Sequence, residues 1–116
     1  MIDDKARELG RLIGQSPEYQ AVKRASAALN GDRDALALIR RMEEIRLDAE
    51  NMIVRGEQPT EAMQQEMDGL LMRVQGNPVY QQMAVAQENF DKLMARVNEV
   101  ILDGIQKGAT SSIITL

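Results

Sequence analysis

Apolar residues along this chain recur at intervals of three and four, and Gly, Pro and capping residues divide the recurrence into blocks. That spacing is the helical period. Ile2, Ala6, Leu9 and Ile13 share one face and predict a helix from about Asp3 to Gly14. Ser16-Pro17-Glu18 then restarts a helix. Ser16 offers an oxygen to a free backbone N–H, Pro17 fits the first helical position, and Glu18 suits the positive end of the helix dipole. This second segment turns Tyr19, Val22, Ala25 and Leu29 inward and stops near Asn30-Gly31.

Asp32 or Asp34 caps a third helix that runs to about Arg55. Its Ala35, Leu38, Met42, Ile45, Ala49 and Met52 form a coiled-coil-like seam, and Gly56-Glu57-Gln58-Pro59 breaks it. A fourth helix spans about Thr60 to Gln75, with Met63, Met67, Leu70 and Val74 on one stripe. Gly76-Asn77-Pro78 ends it and opens the fifth. There Val79, Met83, Ala86, Phe90, Leu93, Val97 and Val100 alternate by four and three to about Gln106, a helix of roughly 40 Å. The pattern therefore predicts an all-α fold of about five helices: a helical bundle with a long C-terminal helix and coiled-coil-like seams. Residues 1–107 read as a single helical domain.

Residues 108–116 differ. Thr110-Ser111-Ser112-Ile113-Ile114-Thr115-Leu116 is uncharged, β-branched and without helical period, and is expected to be a flexible tail or an extended segment that docks on a neighbour. One internal echo also stands out. Ser16-Pro17-Glu18-Tyr19-Gln20 and Asn77-Pro78-Val79-Tyr80-Gln81 both read cap, Pro, any residue, Tyr, Gln. Either a helix-start module is duplicated, or both sites converged on good capping chemistry. Capping accounts for the first two positions but not for Tyr-Gln.

Composition narrows the chemistry. The 116 residues contain no cysteine and no histidine, so thiolate chemistry, disulfides and the commonest general base and zinc ligand are all excluded. Phe90, Tyr19 and Tyr80 are the only aromatics, and eight Met join Leu, Ile, Val and Ala in a core suited to helix packing. The paired carboxylates Glu43-Glu44, Glu57/Glu61 and Glu88/Asp91 fall on polar helix faces. Arg40 precedes Glu44 by four residues and Arg46 precedes Glu50 by four, the spacing of surface ion pairs rather than of a buried acid–base couple. No catalytic residue, metal ligand or cofactor-binding residue is expected, and the chain reads as no enzyme.

Net charge is −4, and the Arg33, Arg40, Arg41 and Arg46 stretch is interleaved with Glu43, Glu44, Asp48 and Glu50, so direct nucleic-acid binding is not expected. Met1-Ile2-Asp3-Asp4-Lys5 turns amphipathic at once, without a basic region followed by an apolar one, and no apolar run approaches a membrane span of about 20 residues. No signal peptide and no membrane association are expected, and the location is expected to be cytoplasmic.

The run Ala6-x-x-Leu9-Gly10-x-x-Ile13, Ser16-x-Glu18-Tyr19, Ala25-x-x-Ala28-Leu29, Asp32-x-Asp34-Ala35 and Leu38-Ile39 resembles the N-terminal half of YlbF/YmcA/YheA-type proteins. Asn77-Pro78-Val79 and the rhythm Ala86, Phe90, Leu93, Val97, Ile101 resemble the second half. The resemblance covers about Asp3 to Lys107 and contains no catalytic signature. It implies a bacterial helper protein that forms dimers or larger assemblies and acts in regulatory complexes affecting competence, sporulation, biofilm formation and RNA processing. Some such complexes carry iron–sulfur clusters, to which a chain without cysteine supplies no thiolates.

The function expected is that of a non-enzymatic regulatory or adaptor protein acting through protein–protein contacts. The alternatives are a structural oligomer or chaperone-like holder, and then an RNA-binding accessory. A homo-oligomer is expected, a dimer being the simplest closed form, together with a further protein partner. The fifth stripe outreaches the shorter fourth helix, so Val79, Met83, Ala86, Phe90, Leu93, Val97 and Ile101 are the candidate interface.

Overall fold

The computed structural model describes residues 1–114, and it is helical almost throughout. Five helices follow in order: α1 Ile2–Gly14, α2 Pro17–Asn30, α3 Arg33–Val54, α4 Glu61–Gln75 and α5 Pro78–Ile114. There is no strand among the described residues. By contacts the chain divides into two units. The first comprises Met1–Val22 and the chain from Ala86 onward; the second comprises Lys23–Val85. Both α2 and α5 contribute a segment to each.

The helix ends lie where the capping residues place them. Asp32, not Asp34, caps α3 by accepting from the Ala35 N–H at 3.0 Å, and Thr60 caps α4 by accepting from the Met63 N–H at 3.1 Å. Asn77 Oδ1 accepts from the N–H groups of Val79 and Tyr80 at the start of α5. Its Nδ2 donates to Asp32 Oδ2 at 3.4 Å, which ties the caps of α3 and α5 together.

The echoed pentapeptides share more than caps. Ser16 Oγ accepts from the Tyr19 N–H, and Gln20 Nε2 reaches back six residues to the Gly14 carbonyl at 2.8 Å. Gln81 Nε2 likewise reaches back six residues, to the Gln75 carbonyl. In both places the Gln satisfies an orphan carbonyl at the end of the preceding helix, while the cap serves the start of the next. This accounts for the Gln that capping chemistry alone leaves unexplained.

Gly56 closes α3. Its φ is +81°, its N–H donates to the Ile53 carbonyl at 3.0 Å, and the Glu57 N–H donates to the Met52 carbonyl at 2.8 Å. These two bonds are the Schellman pattern, which needs a left-handed residue after the C-cap. Gly56→Ala meets no steric neighbour, so its cost is conformational alone, about 1–2 kcal/mol. Thermal denaturation should show a midpoint lowered by roughly 4–8 °C per kcal/mol. An unchanged midpoint would contradict the turn geometry.

The last helix departs from expectation. α5 does not stop near Gln106 but continues to Ile114. Extending an existing helix adds one hydrogen bond per residue fixed, without a new nucleus, so weak formers can be carried along. Thr110 joins by donating its hydroxyl to the Gln106 carbonyl at 2.9 Å, the back-bond that lets Thr sit in a helix. Thr115 and Leu116, also part of the expected tail, lie outside the described residues.

α3 and α4 form the main packed pair, an antiparallel hairpin in the second unit. Ala25, Ala35, Ile45, Leu70 and Val74 are the buried residues of that unit, and Ala86 is buried in the first. A bidentate bridge spans the hairpin: Arg41 Nε and Nη2 donate to the two Glu66 oxygens at 2.7 and 3.0 Å, and Arg41 Nη1 donates to Glu44 at 3.1 Å. Glu44 is thus taken by Arg41, not by Arg40 as the spacing of four suggests. Arg41 faces α4, and Glu44 lies one turn further along that same side. Arg46 pairs with Glu50 as expected, and also with Glu43.

These bridges have a pH signature. The hydrogen bond from Arg41 holds the Glu66 carboxyl below its ordinary 4.5, and that from Arg46 does the same for Glu43. A carboxylate with a lowered folded pKa stabilises the fold above its unfolded value, and this contribution disappears as pH falls through the folded value. Stability should therefore be level down to about pH 5 and decline below about pH 4.5. Glu66→Gln should make the decline shallower. Identical slopes for the two proteins in acid titrations followed by circular dichroism would contradict the assignment.

Candidate functional site

The grooves among the described residues are lined mainly by apolar and exposed side chains. Among the described residues no buried side-chain nitrogen or oxygen lacks a hydrogen-bond partner, and no polar residue is buried at all. The candidate carboxylates sit on exposed faces with ordinary partners. Glu57 meets Arg55 at 3.6 Å, Glu88 meets Lys92 at 3.4 Å, and Asp91 accepts from Gln87 at 3.0 Å. Pairs this exposed stay solvated.

What the sequence does build is apolar surface. In the first unit, α1 buries none of its residues although its apolar positions fall on one stripe. Ile2 is 84% exposed and Leu12 62%. Met1 and, from α1, Ile2, Lys5, Ala6 and Leu9, together with Ile101 of α5, line an open groove of about 460 Å³. Beyond it, α5 presents Val100, Leu102 and Ile105, each more than half exposed. Isolated exposed aliphatics are ordinary; a contiguous set on two adjoining helices is not.

The seven residues of the sequence-derived stripe are divided by the structure. Val79 and Met83 belong to the second unit; Ala86, Phe90, Leu93, Val97 and Ile101 belong to the first. Ala86 is buried, and Val79, Met83, Phe90, Leu93 and Val97 are half-buried. Tyr19 at the start of α2 packs on Phe90, with ring centroids 5.7 Å apart and planes tilted by 59°. Pro17, Glu18 and Ala21 border a groove that also contains Leu93. So the beginning of α2 covers part of the stripe within the chain, and exposure rises toward the C-terminal end of α5. Leu102 and Ile105 belong to the uncovered face but lie off the four-three alternation that runs from Val79 to Val100. The signal for Leu102 was the unbroken apolar run Val100-Ile101-Leu102, too broad for a single stripe, and that for Ile105 its place one turn beyond Ile101.

A second apolar surface lies along the α3–α4 hairpin, wholly within the second unit. It is a groove of about 450 Å³ floored by Ile45, Ala49, Ile53, Pro59, Met63 and Met67.

Iron–sulfur clusters, which the sequence resemblance associates with some complexes of this kind, do not suit these residues. The chain has no cysteine or histidine, and among the described residues no group of three or more Asp or Glu is placed to hold a metal ion. Transition metals favour nitrogen and sulfur donors. Elemental analysis after chelation should find no stoichiometric iron or zinc, and the absorption spectrum should show no cluster bands. One retained metal per chain would contradict this. Nor is any helix among the described residues long and apolar enough to cross a membrane.

Comparison with known proteins gives this surface a context. A family model described as control of competence regulator ComK, YlbF/YmcA, matches residues 2–106. A UPF0342 protein of Limosilactobacillus reuteri is 29% identical over 105 residues, spanning 90% of this chain and 85% of its own length. One from Streptococcus mutans is 30% identical over 103 residues, spanning 89% and 91%. Another, from Streptococcus sanguinis, is 28% identical over 105 residues, spanning 90% and 94%. The family is associated with regulation and is not a known class of enzyme. The match runs through all five helices, α1 to most of α5, and the chain belongs to the YlbF/YmcA family.

Proposed function

We propose that this protein is a non-enzymatic regulatory adaptor, and that it works as a homodimer closed through the apolar face of α1 and the C-terminal part of α5. The observation that carries the reading is uncovered area. Within the first unit Ile2 is 84% exposed, Ile105 61%, Leu102 56%, Val100 53% and Ile101 44%, beside an open apolar groove of about 460 Å³. The apolar groove and the exposed end of α5 supply the surface. Two-fold pairing of one face with its copy is the simplest closed arrangement. Val97, Ile101 and Ile105 of α5, with Ile2 and Leu9 of α1, are the residues assigned to it.

The regulatory part of the reading is supported by the family description and by surfaces suited to contact rather than reaction. Two copies carrying different tags, coexpressed at native level and crosslinked, test it. Each tag should recover the other copy and one defined set of proteins. Recovery of each copy alone would defeat the dimer. A broad spread of unfolded proteins would favour a chaperone-like holder, and RNA without protein would favour a nucleic-acid accessory.

A further inference from the structure

The groove on the α3–α4 hairpin is separate from the face assigned to the dimer and is built differently. Its floor is two matched rows, Ile45, Ala49 and Ile53 on α3 against Pro59, Met63 and Met67 at and along α4, each spaced by four. Ile45 is buried, Ala49, Met63 and Met67 are half-buried, and Ile53 is 61% exposed. From Ile45 to Ile53 is about 12 Å, some two helical turns. A trough between two antiparallel helices, with apolar residues one turn apart on both walls, fits the apolar face of a third helix. The two thioethers let the floor adjust to its occupant.

The rims state the occupant's charge. On α3 the rim residues Arg46 and Glu50 pair with each other, and Glu43, outside the groove, holds the other side of the Arg46 guanidinium. On the opposite wall Asp68 has no ion-pair partner among the described residues, and its neighbour at the rim is the neutral Gln64. The charged residues lining the groove, Arg46, Glu50 and Asp68, thus carry a net charge of −1, and Glu43 adds another negative charge beside it. The chain's own helices with uncovered apolar stripes do not match. α1 has three acidic and three basic residues, and α5 from Ala86 onward has four acidic and three basic. We infer that this groove docks an amphipathic helix of a different protein, with an apolar face about two turns long flanked by Lys or Arg. The inference rests on the adaptor reading and names the kind of partner the adaptor takes.

Two synthetic peptides of about fifteen residues provide the probe. Both share one Leu/Ile face; one has Lys and the other Glu along its flanks. Fluorescence anisotropy at low salt should show the Lys peptide binding at least about tenfold more tightly, with the gap narrowing as salt is raised. Asp68→Lys, at an exposed rim position that leaves the fold alone, should reduce that preference several-fold. Ala49→Arg, its helicity checked by circular dichroism, should remove binding of the Lys peptide. Equal affinity for both peptides, or binding indifferent to both substitutions, would overturn the inference. So would a change of assembly mass on Ala49→Arg, which would mean that a second copy fills the groove. Failure of the dimer alone is separable: Val97→Glu lies in the other unit and should leave peptide affinity unchanged.

Discussion

Val97→Glu should convert the protein from a species of twice 13.0 kDa to one of 13.0 kDa. Val97 is half-buried already and borders the uncovered end of α5, so in a closed dimer it becomes fully enclosed. Each copy would lose about 1.5–3 kcal/mol of apolar burial. Each would also have to desolvate a carboxylate, at a cost of several kcal/mol. By symmetry the penalty is counted twice. A shift of about 5 kcal/mol or more amounts to three to four powers of ten in the dissociation constant. Glu88→Lys, on the polar side of the same helix and paired with Lys92, should leave the assembly intact. A Val97→Glu protein that keeps the dimer mass would place the interface elsewhere. One that unfolds would show that the two copies do not fold apart, and the milder Ile105→Ala, at a position 61% exposed in the chain alone, then reports weakened association instead.

Val74→Ala tests the interior instead of the surface. Val74 is the largest side chain enclosed completely among the described residues, and it shares the core of the second unit with Ala25, Ala35, Ile45 and Leu70. With so few enclosed groups each accounts for a large share of the stability. Removing two methyl groups and leaving part of the cavity open should cost about 2–3 kcal/mol. Urea titration at fixed protein concentration should show a lower midpoint with little change in slope. Val54→Ala, at a position 86% exposed, should stay within about 0.5 kcal/mol of the parent. Equal costs at both positions would mean that the burial pattern is wrong.

The helices were legible because their ends are marked by residues with specific duties. Asp32, Thr60, Asn77 and Gly56 each perform the job that their identity advertises, and a cap needs only its own next few residues. Interactions that depend on how segments turn toward one another were less visible. Gln20 and Gln81 look like surface amides in a one-dimensional pattern; only the helix-turn-helix geometry brings each one's Nε2 to a carbonyl six residues back. Arg41 was indistinguishable from Arg40 until α4 placed Glu66 beside it. The C-terminal end of α5 was misread because β-branched residues weaken a helix on their own but do not stop one that is already formed.

For the candidate interface the sequence supplied the stripe but not its depth of burial. Periodicity identifies a face that avoids water, without saying whether the chain or a partner covers it. Phe90 and Tyr19 illustrate the first outcome, since the beginning of α2 supplies the cover. Ile2, Ile101 and Ile105 remain at least 44% exposed within the chain. The groove on α3 and α4 was hidden for a related reason. Its Met residues follow the same period as the core, and only their half-buried state separates a groove floor from an interior.

In the proposed dimer the uncovered face of α1 and α5 is closed by a second copy of the chain. Light scattering coupled to size exclusion, on the unaltered protein at tens of micromolar, tests this most directly. The expected mass is twice 13.0 kDa, persisting on dilution to low micromolar concentration. A mass of 13.0 kDa throughout that range would contradict it.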